Sequence, residues 1–188
     1  MADKDRKRDK HFPLWTLDNS IRRLFSSPKR FCGYVAPGQV VADLGCGPGY
    51  YTMALAECVG PEGKVYAVDS DEKAIRAVRK KAENRGYHNI EAFASSASDL
   101  SFIKDGSVDF VLANGLLCSV APLHHESAVN EMKRVLRANG HAYLSVDNSR
   151  ASYVEKAEWE QVLRGFNVER QGAPMMGDRW ALVNKKEN

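Results

Sequence analysis

Apolar and polar residues alternate along the chain in two rhythms. From Gln39 onward, short aliphatic and β-branched runs read as strands: QVVADLG, KVYAVD, IEAFAS, SVDFVLAN and HAYLSV. Between them the apolar positions recur every three or four residues, the spacing of one helix face. YTMALAECVG predicts a helix closed by Gly60. DEKAIRAVRKKAENRG predicts one capped by Asp71, with Ala74, Ile75, Val78 and Ala82 on its apolar side. SAVNEMKRVLRANG predicts a third, stopped by Asn139-Gly140, and SYVEKAEWEQVLRG a fourth. FNVERQ and RWALVN read as a closing pair of strands. Strand and helix in alternation predict an α/β domain, a doubly wound, mainly parallel sheet with helices on both faces. Ahead of it, residues 1–10 read as a solvated tail, HFPLWTLDNSIRRLF as a helix capped by Asp18 or Asn19, and Ser27-Pro28 as the start of a second short helix.

The length of 188 residues corresponds to one domain. The formal charge of +3 is unevenly spread. Residues 1–38 hold nine basic and four acidic side chains, a +5 arm, and the remainder carries 18 basic against 20 acidic. That is not the uniformly basic face of a dedicated nucleic-acid module. The expected division is a basic N-terminal arm with lid helices over 1–35 and the α/β domain over 36–188. No run approaches the length of a membrane-spanning helix, and MADKDRKRDKHF lacks the apolar stretch of a secretory signal. Cys32, Cys46, Cys58 and Cys118 lie far apart without C-x-x-C spacing, which argues against a zinc site and a disulfide framework. A reducing cytoplasm is the expected compartment.

The informative segment is VVADLGCGPGY, residues 40–50: an apolar strand, three glycines in five positions, then a helix. Glycines admit positive φ and close approach of a ligand to backbone, and a helix start offers free N–H groups. In doubly wound sheets such loops lie at the carboxyl ends of the strands, where ligands bind. The dinucleotide fingerprint G-x-G-x-x-G is not met, because Tyr50 stands where the third glycine belongs. A dehydrogenase reading would need that glycine. Asp43, two residues before the loop, would sit badly beside a pyrophosphate but suits a ligand with an ammonium group.

These residues resemble the first motif of class I S-adenosylmethionine-dependent methyltransferases, D-x-G-x-G-x-G. KVYAVDSDEKAI ends its strand in Asp69, 20 residues after Gly49, where that family places an acid for the ribose hydroxyls. DGSVDFVLAN resembles the fourth-strand motif and VLRANGHAYLSV the fifth-strand motif, R-V-L-K-P-G-G. The four together cover about residues 35–147 and are most similar to the small type 11, ubiquinone/menaquinone-methyltransferase-like branch. The resemblance implies a Rossmann-like, three-layer α/β/α fold whose sheet is seven-stranded and mostly parallel, with an antiparallel last strand. It implies S-adenosyl-L-methionine as cofactor and S-adenosyl-L-homocysteine as product. By position, Gly45, Cys46, Gly47 and Gly49 would shape the methionine side, with Asp43 at the loop base. Asp69 would bind the ribose, with Ser70 next to the adenine. Ser96 and Ala97 would border the adenine, Ser96 standing where the family usually has an acid, with Asp99 as its alternative. Asn114 would face the methyl-donor end.

Other residues admit two readings. Cys46 and Cys118 read as small buried residues rather than nucleophiles. His124 and His125 could supply a general base or simply begin a helix with polar cover. Asn114-Gly115-Leu116-Leu117 is not the N/D-P-P-Y motif used on base amino groups. His11, Phe12 and Trp15 could close over the cofactor mouth, and Met175 and Met176 could line an adaptable pocket, or each could merely anchor its segment. An activated methyl donor asks the protein chiefly for alignment and water exclusion, so no triad or metal cluster is expected. Only roughly 40 residues follow the fifth strand. The expected partner is therefore a small, partly apolar acceptor. An RNA acceptor is the alternative suggested by the basic arm, and a non-catalytic cofactor-binding subunit the alternative of another class.

Overall fold

A computed structural model describes Pro13 and residues 27–147, 154–173 and 178–186. Seven strands form one sheet: β1 (Val40–Leu44), β2 (Lys64–Asp69), β3 (Ile90–Ala94), β4 (Val108–Asn114), β5 (Leu136–Asp147), β6 (Phe166–Gly172) and β7 (Asp178–Lys185). Their order is β3-β2-β1-β4-β5-β7-β6, parallel except for β7, which runs antiparallel to both β5 and β6. The helices are α1 (Thr52–Val59), α2 (Glu72–Arg85), α3 (His125–Val135) and α4 (Lys156–Arg164), with 3-10 turns at Pro28–Tyr34, Leu116–Cys118 and Pro122–His124. This is the expected doubly wound sheet. Its order reverses between β1 and β4, so the ends of those two strands open the crevice in which ligands bind.

Local chemistry explains the element ends. Asp71 accepts a hydrogen bond from the Lys73 N–H at 2.8 Å, and Gly86 in the left-handed region closes α2. Ala74, Ile75, Val78 and Ala82 are buried, the face that the 3.6-residue period predicts. Ser27 caps the first 3-10 helix through Lys29 N–H, with Pro28 at its start. Glu155 and Glu158 form a capping box on α4.

Two sequence expectations are corrected. The third helix stops at Val135 instead of running to Gly140. Leu136 already pairs with Val108, and residues 137–140 are extra residues before His141 resumes pairing opposite Phe110. A Cβ on Gly140 would lie 2.9 Å from the Val108 carbonyl oxygen, so the glycine permits a close strand approach rather than ending a helix. The cysteines also differ: Cys32 and Cys58 form a disulfide, with Cα atoms 5.8 Å apart. It ties the first 3-10 helix to α1, a proximity in space that a separation of 26 residues conceals.

The core lies on both faces of the sheet. One side packs Leu100, Ile103, Met132, Leu136 and Trp159 against it. The other carries an aromatic cluster in which buried Phe31 meets Tyr51 and Tyr143, each at 4.8 Å between ring centroids. Trp180 stacks on Tyr143 at 5.8 Å. Among the described residues, no helix is long and apolar enough to cross a membrane.

Candidate cofactor cleft

The glycine loop leaves β1 at Gly45 and enters α1 at Thr52. Gly45, Gly47 and Gly49 all have positive φ, at 72°, 53° and 85°. At Gly45 the absent Cβ would meet Leu116 Cδ1 at 2.9 Å, and at Gly49 it would meet Val78 Cγ2 at 3.1 Å. A side chain at either position would strain the backbone and crowd these packed neighbours, so the two glycines let the loop lie tightly against Leu116 and α2.

Two carboxylates hold this loop from either side. Asp43, only 3% exposed, accepts the Thr52 hydroxyl through Oδ2 at 2.6 Å, which joins the loop base to the first turn of α1. Asp69 Oδ2 accepts the Gly47 N–H at 2.8 Å, and Asp69 Oδ1 accepts the Asp71 N–H at 2.9 Å. A carboxylate has about four acceptor positions, so two remain after these bonds. From the far side, Lys81 on α2 donates its Nζ proton to the Pro48 carbonyl at 2.7 Å.

Cys46 is buried and its Sγ lies 3.5 Å from the Gly47 carbonyl. Burial, then the negative charges of Asp43 and Asp69, push its thiol well above the ordinary cysteine value, which disfavours the thiolate. Cys118 is buried too, its sulfur accepting the Asp147 N–H.

The β3–β4 segment forms the next wall. Ser96 Oγ and Ser98 Oγ are 2.8 Å apart, Ala97 is buried, and Ser70 is exposed beyond Asp69. Asp99 is exposed. Its carboxyl is held below the usual range by Ser101, whose N–H it accepts at 3.2 Å, so it acts as a local cap. The segment is pinned from behind by Arg134, which donates to the Leu100 and Ile103 carbonyls and to Glu131, while Glu131 accepts the Leu100 N–H.

Asn114 ends β4 beside Ser145 of β5, whose hydroxyl donates to Asn114 Oδ1 at 3.1 Å. Gly115 turns in the left-handed region and delivers Leu116 over Gly45. His124 is half-buried at the end of a 3-10 turn. His125, buried at the start of α3, directs Nε2 at the Leu117 and Val120 carbonyls, 3.1 and 2.9 Å away. An N–H at Nε2 meets both carbonyl oxygens, so His125 ties this loop to the start of α3. His11, Trp15, Met175 and Met176 lie outside the described residues. Sequence reasoning missed Thr52, Lys81, Arg134 and Ser145, whose contacts with the loop base, Pro48, the β3–β4 segment and Asn114 arise only once the sheet is assembled.

Residues 41–140 match the family described as "Methyltransferase domain". The chain belongs to this methyltransferase family. Its relatives include the demethylmenaquinone methyltransferase of Geobacillus stearothermophilus, 37% identical over 106 residues, 56% of this chain and 44% of that protein. The enzyme of the same name from Listeria monocytogenes serovar 1/2a is 30% identical over 132 residues, 70% of this chain and 53% of its own. The chain thus spans about half the length of the curated relatives it matches. Among solved structures, a SAM-dependent methyltransferase from Aquifex aeolicus superposes with a TM-score of 0.77 at 23% identity, covering 94% of this chain and all of that one. A geranyl diphosphate methyltransferase in complex with SAM superposes at 0.72 with 13% identity, covering 89% and 85%. At these identities the structures establish the shared fold. The methyltransferase domain described here is of class I, with S-adenosylmethionine as its cofactor. The cleft fits it: Asp69, partly exposed at the end of β2, has acceptor positions left for hydroxyl donors after its bonds to Gly47 and Asp71.

Proposed function

We propose that this chain transfers the methyl group of S-adenosylmethionine to a small, partly apolar acceptor by holding the acceptor atom in line behind the sulfonium carbon. The observation that carries this reading is the pair Asp43 and Asp69 bracketing a loop with glycine at positions 45, 47 and 49, at the ends of the central strands. When bound, S-adenosylmethionine supplies a methyl group already activated by a sulfonium. The remaining work belongs to the chain's own residues. Asp69 receives the ribose hydroxyls on its two remaining acceptor positions, and Ser96 and Ala97 flank the adenine. The N–H groups of the glycine loop, fixed by Asp69, Thr52 and Lys81, hold the amino-acid end. Asn114 and Leu116 border the methyl carbon, and the ring cluster of Tyr51, Tyr143 and Trp180 excludes water beside it.

Relatives named demethylmenaquinone methyltransferase favour a quinol-type ring as the acceptor. The test is incubation with S-adenosylmethionine labelled on the methyl group and either naphthoquinols or bulk RNA. Label in the organic extract of the quinol reaction supports the proposal, and label only in RNA overturns the small-acceptor reading.

A further inference from the structure

Asn114 does not present its amide to the cleft at random. Ser145 is 1% exposed, and its Oγ already accepts the Gly115 N–H at 3.1 Å. Its own proton goes to Asn114 Oδ1 at 3.1 Å. With the amide reversed, Ser145 Oγ would face two donors, and its proton would have no acceptor among the described residues. The arrangement therefore fixes Oδ1 toward β5 and leaves Asn114 Nδ2, with two N–H donors, on the open side at the carboxyl end of β4. Register places the surroundings on the same sheet face. Asp43 on β1 pairs with Leu112, Ser145 pairs with Asn114 and Trp180, and Asp147 pairs with Asp178. Arg30 adds a guanidinium, donating to the Tyr143 hydroxyl at 2.9 Å.

We propose that Ser145 is a positioning residue that turns Asn114 so that its NH2 group meets an oxygen anion of the acceptor, and hence that the acceptor class is a phenolate or enolate rather than an amine. This rests on the methyltransferase reading of the cleft. Two N–H donors stabilise an oxyanion, whereas the nitrogen of an aromatic amine is a poor acceptor for them. An oxygen anion conjugated to a ring also directs electrons to the ring carbons, so the same recognition serves O- and C-methylation.

The test uses p-nitrophenol, whose ionised form has its own absorption band, bound to the full chain with S-adenosylhomocysteine. A site that donates to the oxygen lowers the bound probe's pKa. Its acidity also registers Arg30, Asp43, Tyr143, Asp147 and Asp178 on the facing elements, so the readout is the difference between wild type and variants at one pH. Wild type is expected to raise the ionised-to-neutral ratio about tenfold over free probe, a shift of one pKa unit. Ser145→Ala, and the neutral replacement Asn114→Leu, should each remove most of that gain while still binding the probe. The proposal is overturned if wild type does not bind the probe, if it leaves the probe no more ionised than in solution, or if either variant ionises it as wild type does. Failure of S-adenosylhomocysteine to bind while the probe still ionises in an Asn114-dependent way falls instead on the cofactor reading.

Discussion

Asp69 illustrates how much a single side chain does here, because it shapes the loop before any ligand arrives. One oxygen holds Gly47 and the other the start of α2, so the carboxylate reads as a preorganised acceptor rather than a flexible one. Replacing it with alanine removes a charged acceptor and releases the Gly47 N–H. Asp69→Ala is expected to weaken S-adenosylmethionine binding by about 1.5–3 kcal/mol, the range for hydrogen bonds to charged groups. Isothermal titration of the folded variant checks this, and unchanged affinity would take Asp69 out of the site. The sequence made Asp69 legible through its distance from the glycines. It could not make Ser145 legible, because a serine inside an apolar strand carries no signal until β5 lies beside β4.

Among the elements, the wall made by the β3–β4 segment depends on α3. Arg134 is the hub, its guanidinium held in the charged form chiefly by Glu131. The same contact keeps the Glu131 carboxyl below the usual glutamate range, with the Leu100 N–H adding to it and burial opposing. A carboxyl depressed in the folded state contributes stability above its unfolded value, about pH 4.3, and loses it as the pH falls through the folded value. The stability gap between wild type and Glu131→Gln should therefore be open at pH 7 and shrink on acidification below about pH 4. Urea midpoints at the two pH values measure it, and a gap that widens in acid would refute the pairing. Periodicity revealed α2 and its cap at Asp71, since that information is local. It misplaced the end of α3, because only the pairing of Leu136 with Val108 decides that the chain has already become a strand. Tertiary pairing overrode a helical pattern there.

For the molecule as a whole, the Cys32–Cys58 disulfide joins the segment preceding the sheet to the helix that follows the glycine loop. Phe31, between Tyr51 and Tyr143, seats that segment on the sheet face shared with Asn114. Closing a loop of this size is worth about 3 kcal/mol in the chain-entropy account. Cys58→Ser, or reduction of wild type, is expected to lower the thermal midpoint by several degrees, with the variant insensitive to dithiothreitol. Equal midpoints with and without reductant would contradict the tether. The basic arm to which the charge arithmetic points lies mostly outside the described residues, while its last stretch, Pro28–Tyr34, is anchored by this bond. Whether the glycine loop bracketed by Asp43 and Asp69 holds S-adenosylmethionine is decided by titration calorimetry of the full chain with that cofactor. Saturable one-to-one binding at sub-millimolar concentration is expected, weakened in Asp69→Ala. A folded wild-type chain that gives no binding heat and no competition by S-adenosylhomocysteine would contradict it.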